Sequence, residues 1–481
     1  MVHRFRSISA AVCGGVAAFG RRSATGYHRL LLAAAAATAW SSAHAQSPAQ
    51  DAAWRWLTQG SEARSAVLQH LVTDEAGNVY IAGRFTNQIR LGGTRLVSHG
   101  SSDVFVAKLT AGGQWVWAVG AGGPASDGAA DLILDKQGHV LLAGFFQGTA
   151  DFGPVQRTSQ GGQDVFVAAL TVQGQWQGVM TAGGPGQDEA QALVLDPSQQ
   201  VVVGGRFQGQ ARFGSHALHS SAAGSDGFVA RLGPESTWVW AAQTTGTDEV
   251  VIKRLAVNAQ GHVVATGYFG GTSSFGAHAI SSAGTHNLFV ASLDAAGQWD
   301  WVTAAYSEST VYGNGLDLDP QGNIYLTGAF SGTAQFGSQQ LPSHGGDDMY
   351  VARLSARGEW RWATTLHGTA LESGKAVVVG ADGMVYVAGC YGSAARYPKA
   401  TLPNQGSTDL FVGRLTDAGQ WLHVQPAGSA GPDEATAVAL APNGELYVGG
   451  TMSSPTPAAV APQVYVGRLR LPAPLLVAGT R

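Results

Sequence analysis

Carboxylates recur at one place in this chain. Asp127, Asp188, Glu189, Asp248, Glu249, Glu372, Asp433 and Glu434 each stand just before, or at the start of, a short apolar run. Gathered at one end of a rigid body, such acids would bind cations or a basic ligand. The blander chemistry is that each carboxylate accepts backbone N–H bonds in its own turn, as Asp does in tight turns. Turn-holding is the default expectation, and the ring of acids is the candidate ligand-binding set. Calcium takes six to eight oxygen ligands, more than any one of these loops offers. No cofactor is therefore expected, and calcium is the one cation to test.

Familiar catalytic and metal-binding signatures are absent from the sequence. There is no Gly-x-Ser-x-Gly elbow, no His-Glu-x-x-His and no Cys-x-x-Cys. The histidines are scattered, with His99 and His344 in Ser-His-Gly loops and His139 and His262 in turns. Cys390 sits among apolar neighbours and reads as a buried, inert thiol. Tryptophans paired as in Trp115-Val116-Trp117 share one face of a strand. They suit either a sugar-stacking platform or packing between sheets, and packing is preferred because buried Trp removes so much apolar surface from water.

The elements that must position these residues repeat. Trp54, Trp115, Trp176, Trp238, Trp299, Trp360 and Trp421 are separated by 61, 61, 62, 61, 61 and 61 residues. A period that steady means a repeat architecture. Within one period four short strands are marked by turn signals: Asp131–Asp135, His139–Phe146, Asp164–Leu170 and a strand opening at Trp176. The second strand carries a glycine in all seven copies, from Gly83 to Gly450. Many strands are apolar at neighbouring positions, so both faces must be covered. Few charged residues (12%) and 67 glycines fit this β-rich reading. The fold class is therefore all-β, a seven-bladed β-propeller with blades of about 61 residues. The tryptophan strand occurs once before blade one and is missing after Tyr465, so Ala52–Leu57 is expected to pair beside Val464–Leu469 and close the ring.

Asp74-Glu75-Ala76-Gly77-Asn78-Val79-Tyr80, Asp103 to Leu109 and Gly112-Gly113-Gln114-Trp115 together resemble the SBBP (seven-bladed β-propeller) repeat proteins of bacteria. The likeness runs over about residues 52–470 and implies an exported repeat protein of undefined activity. Blade six departs from the pattern at Tyr397-Pro398, and blade seven is shorter around Ser453–Gln463.

Alternating strand direction puts the short Asp-x-x-Gly turns on one end of the ring. The long connections, such as Gln147–Gln163 and Gln208–Ser225, lie on the other. Binding residues concentrate on variable loops held by a rigid scaffold, so the long-connection end is the expected binding face. Asp103, Asp164, Asp226, Asn287, Asp348 and Asp409, which open the third strand, are expected to hold their turns. Arg231, Arg353, Arg414 and Arg468 are expected to be solvated edge residues.

The first 45 residues read as a signal peptide: basic residues, the apolar run Leu30–Trp40, then Ala43-His44-Ala45. The propeller then occupies 46–470 and a short tail 471–481. Five of the 28 basic residues and none of the 32 acids precede Gln46, so the formal charge falls from −4 to −9 on cleavage. A nucleic-acid partner is not expected of such a surface, and no later segment is apolar enough to cross a membrane as a helix. The expectation is a monomeric, secreted or cell-surface or periplasmic propeller that binds a protein or glycan without catalysis. The alternatives are a polysaccharide lyase or glycosidase at the channel mouth, and a purely structural envelope or adhesive module.

Overall fold

The computed structural model describes residues 53–220, 224–453 and 461–472. The expected signal peptide and nearly all of the expected tail lie outside the described residues. The described residues form seven blades, each a four-stranded antiparallel sheet; in two of them a hairpin of the next blade extends the ladder to six strands, and three further hairpins stand as two-stranded sheets. Blade 1 is Ser65–Thr73, Val79–Thr86, Asp103–Leu109 and Trp115–Ala121. The seven first strands neighbour one another in a closed circle. They surround an axial channel whose short-turn end holds a cavity of about 370 Å³, lined by Ile133, Val194, Leu255, Asp317 and other first-strand residues. Second and third strands are buried on both faces, as in Val79–Ala82 and Asp103–Ala107.

The ring closes as the extra tryptophan strand requires. Ala53–Gln59 pairs antiparallel with Gln463–Arg470, Trp54 opposite Leu469 and Gln59 opposite Tyr465. The last blade thus has four strands, the outer one from the N-terminal end of the chain and three from the C-terminal end, and no open edge remains on its third strand.

The long connections are not loops. Each described one contains a hairpin, such as Gln210–Phe213 with His216–His219 and Thr272–Phe275 with His278–Ser281. In blade 2 the hairpin is continuous with the main strands, which reach Phe152 and restart at Val155. Blade 6 turns at Pro398-Lys399, whereas in blades 1 to 5 the turn has two residues and opens with a glycine at φ near +60°, as at Gly153 and Gly214. That is the left-handed conformation a tight hairpin needs and a side chain resists. The hairpins strap the ring together. Gly122 and Asp151 exchange both backbone bonds, at 3.1 and 3.0 Å, between blade 1's outer strand and blade 2's hairpin. Thr244–Phe275 and Ala305–Phe336 repeat the strap at the next two junctions where ladders form.

The tryptophans divide this labour. The tryptophan that opens an outer strand covers its own blade's hairpin where one is described: Trp176 meets Phe152 edge-on at 5.8 Å, and Trp299 meets Phe275 at 5.1 Å. The second of a pair reaches the next blade. Trp56, Trp117 and Trp362 each donate an indole N–H to a turn carbonyl 2.9 Å away, on Ala111, Val172 and Asp417. The second tryptophan thus reaches the following blade, and two of the first set reach back to the preceding one, Trp299 to Gln243 O at 3.1 Å and Trp421 to Thr364 Oγ1 at 3.2 Å, so packing between blades is as expected.

The third-strand arginines are not solvated edges. Arg231 folds back to Asp196 at 2.6 Å and Arg468 to Glu445 at 3.1 Å, while Arg353 covers the Tyr325 ring. The third strand ends beside its blade's Asp-x-x-Gly turn, so a guanidinium there finds a carboxylate before it finds water. Cys390 is buried, and burial beside Glu434 pushes its thiol up to about 12.

Candidate functional site

In every first strand the pairing register slips by one residue. The unpaired residues are Gln69, Ala130, Gln191, Lys253, Asn314, Lys375 and Thr436. Beside each slip a backbone carbonyl turns into the second strand and meets its glycine. A Cβ on Gly83, Gly144, Gly205, Gly267, Gly328, Gly389 or Gly450 would stand 1.8 to 2.0 Å from that oxygen. The seven glycines and the seven bulges are thus one feature, and it sets which way the neighbouring side chains point. The bulged side chains tie inner strands together: Thr436 Oγ1 donates to Leu68 O at 2.6 Å, and Lys375 Nζ pairs with Glu434 at 2.6 Å.

This geometry separates the eight candidate acids. Asp127, Asp188, Glu372 and Asp433 are fully buried. Asp127 accepts N–H bonds from Gly123 and Gln147 at 2.7 and 3.1 Å, and Asp188 from Gly184 and Gln208 at 2.7 and 3.2 Å. Asp433 accepts from Ser429 and Ser453. Donors aimed at these oxygens hold the long-connection turns and oppose a metal cation at the same atoms. Asp248 caps the Glu249 N–H at 2.8 Å. Among the described residues no group of three or more His, Cys, Asp and Glu is placed to hold an ion. The third-strand acids hold their turns as expected, Asp164 through Gln160 N–H at 3.0 Å and Asp348 through His344 N–H at 2.7 Å.

Glu189, Glu249 and Glu434 are different. Each is half-buried and reaches a cation. Arg206 donates to Glu189 at 2.7 and 3.2 Å and to Glu249 at 3.1 Å, joining blades 3 and 4. Burial pulls against the Arg206 charge, but the two glutamates outweigh it and hold its pKa above the usual value. Glu249 also accepts from Tyr268 OH at 3.3 Å and Ser225 Oγ at 3.1 Å, with His286 Nε2 at 3.9 Å. The Tyr268 and Tyr312 rings meet at 5.2 Å and 88°, and His286 packs on Tyr268 at 5.0 Å. Below them Lys253 Nζ lies 6.0 Å over the Tyr268 ring, its pKa held down by burial and then by adjacent Arg254. Burial, and then Glu249, raises the Tyr268 pKa.

Sequence reasoning found the two glutamates and missed Arg206, Tyr268, His286 and Tyr312. A signal existed. Arg206 and Tyr268 follow the second-strand glycine, opposite Glu189 and Val251. The same cross-strand pair elsewhere is Val67 with Arg84, Gly128 with Phe145, Tyr312 with Ala329, Ser373 with Cys390 and Glu434 with Thr451. One register step away the pair is Gly with Phe or Tyr in all seven blades, as in Gly205 with Phe228 and Gly328 with Tyr350. Seven equivalent packing environments demand the constant layer. They do not demand the variable one, which is free to differ for other reasons.

No family model matches the chain. It is 32% identical over 146 residues to the regulatory protein FlaEY of Caulobacter vibrioides, a match over 29% of this chain and 15% of that protein. Among solved structures, a putative gluconolactonase is 14% identical over 67% of this chain and 88% of its own, with a TM-score of 0.30. A gluconolactonase from Xanthomonas campestris is 13% identical over 69% and 90%, at 0.29. BBS1N, solved in complex with ARL6DN, is 10% identical over 88% and 97%, at 0.41. Likenesses this distant carry no information about a site.

Proposed function

We propose that this chain is an exported binding propeller. Its polar mouth, built from Glu189, Arg206, Glu249, Tyr268, His286 and Tyr312, takes a hydroxyl-rich partner: a glycan, or a polar protein surface. The observation that carries this reading is one connected charged and aromatic network across blades 3 to 5, in a layer where the other blades carry Val67 with Arg84, Gly128 with Phe145, Ser373 with Cys390 and Glu434 with Thr451. Phenols and carboxylates side by side offer both ring faces for sugar C–H surfaces and acceptors for hydroxyls. Two carboxylates on one guanidinium are preorganised, so little side-chain freedom is lost on binding.

The test is glycan-array and pull-down screening of the chain from residue 46, with Tyr312→Ala and Glu249→Gln beside it. A ligand that binds wild type and loses tenfold or more to both variants, while thermal unfolding holds, supports the reading. Ligands that ignore both variants refute it. Turnover of an acidic polysaccharide would favour the lyase or glycosidase alternative, since His286 and Tyr312, 3.4 Å apart, could relay a proton. Export would show as processed protein beginning near Gln46 outside the cytoplasm.

A further inference from the structure

Four of the seven blade junctions bring two buried carboxyl groups together. One opens the third strand of a blade and the other precedes, or begins, the first strand of the next. They are Asp103 with Asp127, Asp164 with Asp188, Asp348 with Glu372, and Asp409 with Asp433, all buried. At the first two junctions a glycine lies between them. A Cβ on Gly122 would sit 2.8 Å from Asp103 Oδ1 and 2.9 Å from Asp127 Oδ2, and one on Gly183 would sit 2.7 and 2.9 Å from Asp164 Oδ1 and Asp188 Oδ2.

Three of these pairs contain an oxygen without a well-aligned donor, Asp164 Oδ1, Glu372 Oε2 and Asp409 Oδ1, although the Gly184 N–H lies close to Asp164 and the Tyr391 hydroxyl close to Asp409. A buried acceptor without a well-aligned donor, next to a second carboxylate, is costly as two anions and satisfied as one acid and one anion. Two of the other three junctions offer a comparison. Where the first-strand partner is Val311 or Ala66, the third-strand residue is an amide, Asn287 or Gln463, and its NH₂ group donates; the remaining junction sets a single buried carboxyl, Asp226, against Val250. Asn287 donates to Ser307 O at 3.1 Å, and Gln463 to Ala63 O at 3.1 Å. Amide and protonated acid have nearly the same shape, and each presents a donor beside a carbonyl oxygen, N–H in one and O–H in the other.

We propose that these four junctions are each closed by a carboxyl pair sharing one proton, so that the ring takes up protons as it closes and holds together more strongly in mildly acidic surroundings than in alkaline ones.

The electrostatics agree. Burial pushes Asp127 and Asp164 up to about 6 and Asp188 and Glu372 up to about 7, and also raises Asp103, Asp409 and Asp433. A carboxyl whose pKa is higher folded than unfolded contributes stability that is full below the unfolded value and lost as pH rises through the folded one. The window here runs from about pH 4 to about pH 7. Histidines face two of the pairs: His99 lies 3.7 Å from Asp103, and His344 lies 3.6 Å from Asp348 and stacks on His367. Tyr391 and Tyr465 lie near the Asp409–Asp433 pair. Among the described residues, Glu189 is the charged group outside the Asp164–Asp188 pair that acts on it, so this pair is the clean one to perturb.

The experiment follows thermal unfolding of the chain from residue 46 at pH 5.5 and pH 8, for wild type and Asp164→Asn. The amide can keep the Gln160 bond through its oxygen and present NH₂ to Asp188. Wild type should melt several degrees higher at pH 5.5. Asp164→Asn should raise the pH 8 melting temperature and narrow the gap between the two conditions. A carboxylic-acid carbonyl stretch in the infrared at pH 7 should weaken in the same variant. A wild type that melts higher at pH 8, or an unchanged infrared band, would overturn the proposal. So would a rise in melting temperature on adding calcium at pH 8, which would put a metal between the carboxylates.

Discussion

Replacing Gly205 by alanine should break the inner edge of blade 3. The added Cβ would stand 1.9 Å from Glu189 O, where a carbon needs roughly 3.5 Å to be in contact without overlap. The obstacle is backbone, held in place by the bulge at Gln191 and by the ladder on both sides of it. The strands would have to part by about 1.5 Å, enough to stretch or lose about two ladder bonds at roughly 1 kcal/mol each, on top of about 1–3 kcal/mol of overpacking. The expected cost is about 3–5 kcal/mol. Gly178, mid-way along blade 2's outer strand, is the control: a Cβ there meets nothing within 4 Å, so Gly178→Ala should change stability by less than about 0.5 kcal/mol. Urea unfolding followed by tryptophan fluorescence compares the two. With a slope of about 4 kcal/mol/M for a chain of this size, the Gly205→Ala midpoint should fall by about 1 M. If the two variants unfold within about 0.2 M of each other, the link between bulge and glycine is wrong.

Removing Ala53–Gln59 should leave the edge of Gln463–Arg470 open and take Trp56 from its bond to Ala111, so the shortened chain should lose its cooperative melt or associate on size exclusion; an unchanged melt and a monomer peak would refute the closure argument. Trp117→Phe keeps most of the apolar body but drops the indole donor, leaving Val172 O unpaired at the blade 1 to blade 2 junction. It should cost about 1–2 kcal/mol by denaturant midpoint, and Trp115→Phe, whose ring lies on its own blade, should leave that junction bond intact.

Much of the fold was legible because the repeat writes each constraint seven times. Trp54 to Trp421 counted the blades, and the unmatched copy at Trp54 announced the closure. The hairpins were half-visible. Phe152-Gly153, Phe213-Gly214, Phe275-Gly276 and Phe336-Gly337 mark their turns, yet strands of four residues bury little alone and take their stability from the neighbouring blade's edge. The second-strand glycines were countable without being explicable, since the carbonyl that forbids a side chain belongs to another strand.

The site divides along the same line. That acids stand at the start of the first strands is a property of the chain alone. Whether an acid serves the fold or faces a partner depends on which side of the strand it leaves from. Adjacent Asp188 and Glu189 show it: one is sealed against two backbone donors, and the other meets Arg206 at the blade 3 to blade 4 junction. Arg206, Glu249, Tyr268, His286 and Tyr312 span more than a hundred residues and have no common spacing. The curvature of the ring and the bulge in each inner strand bring them together, and neither is encoded at any single position.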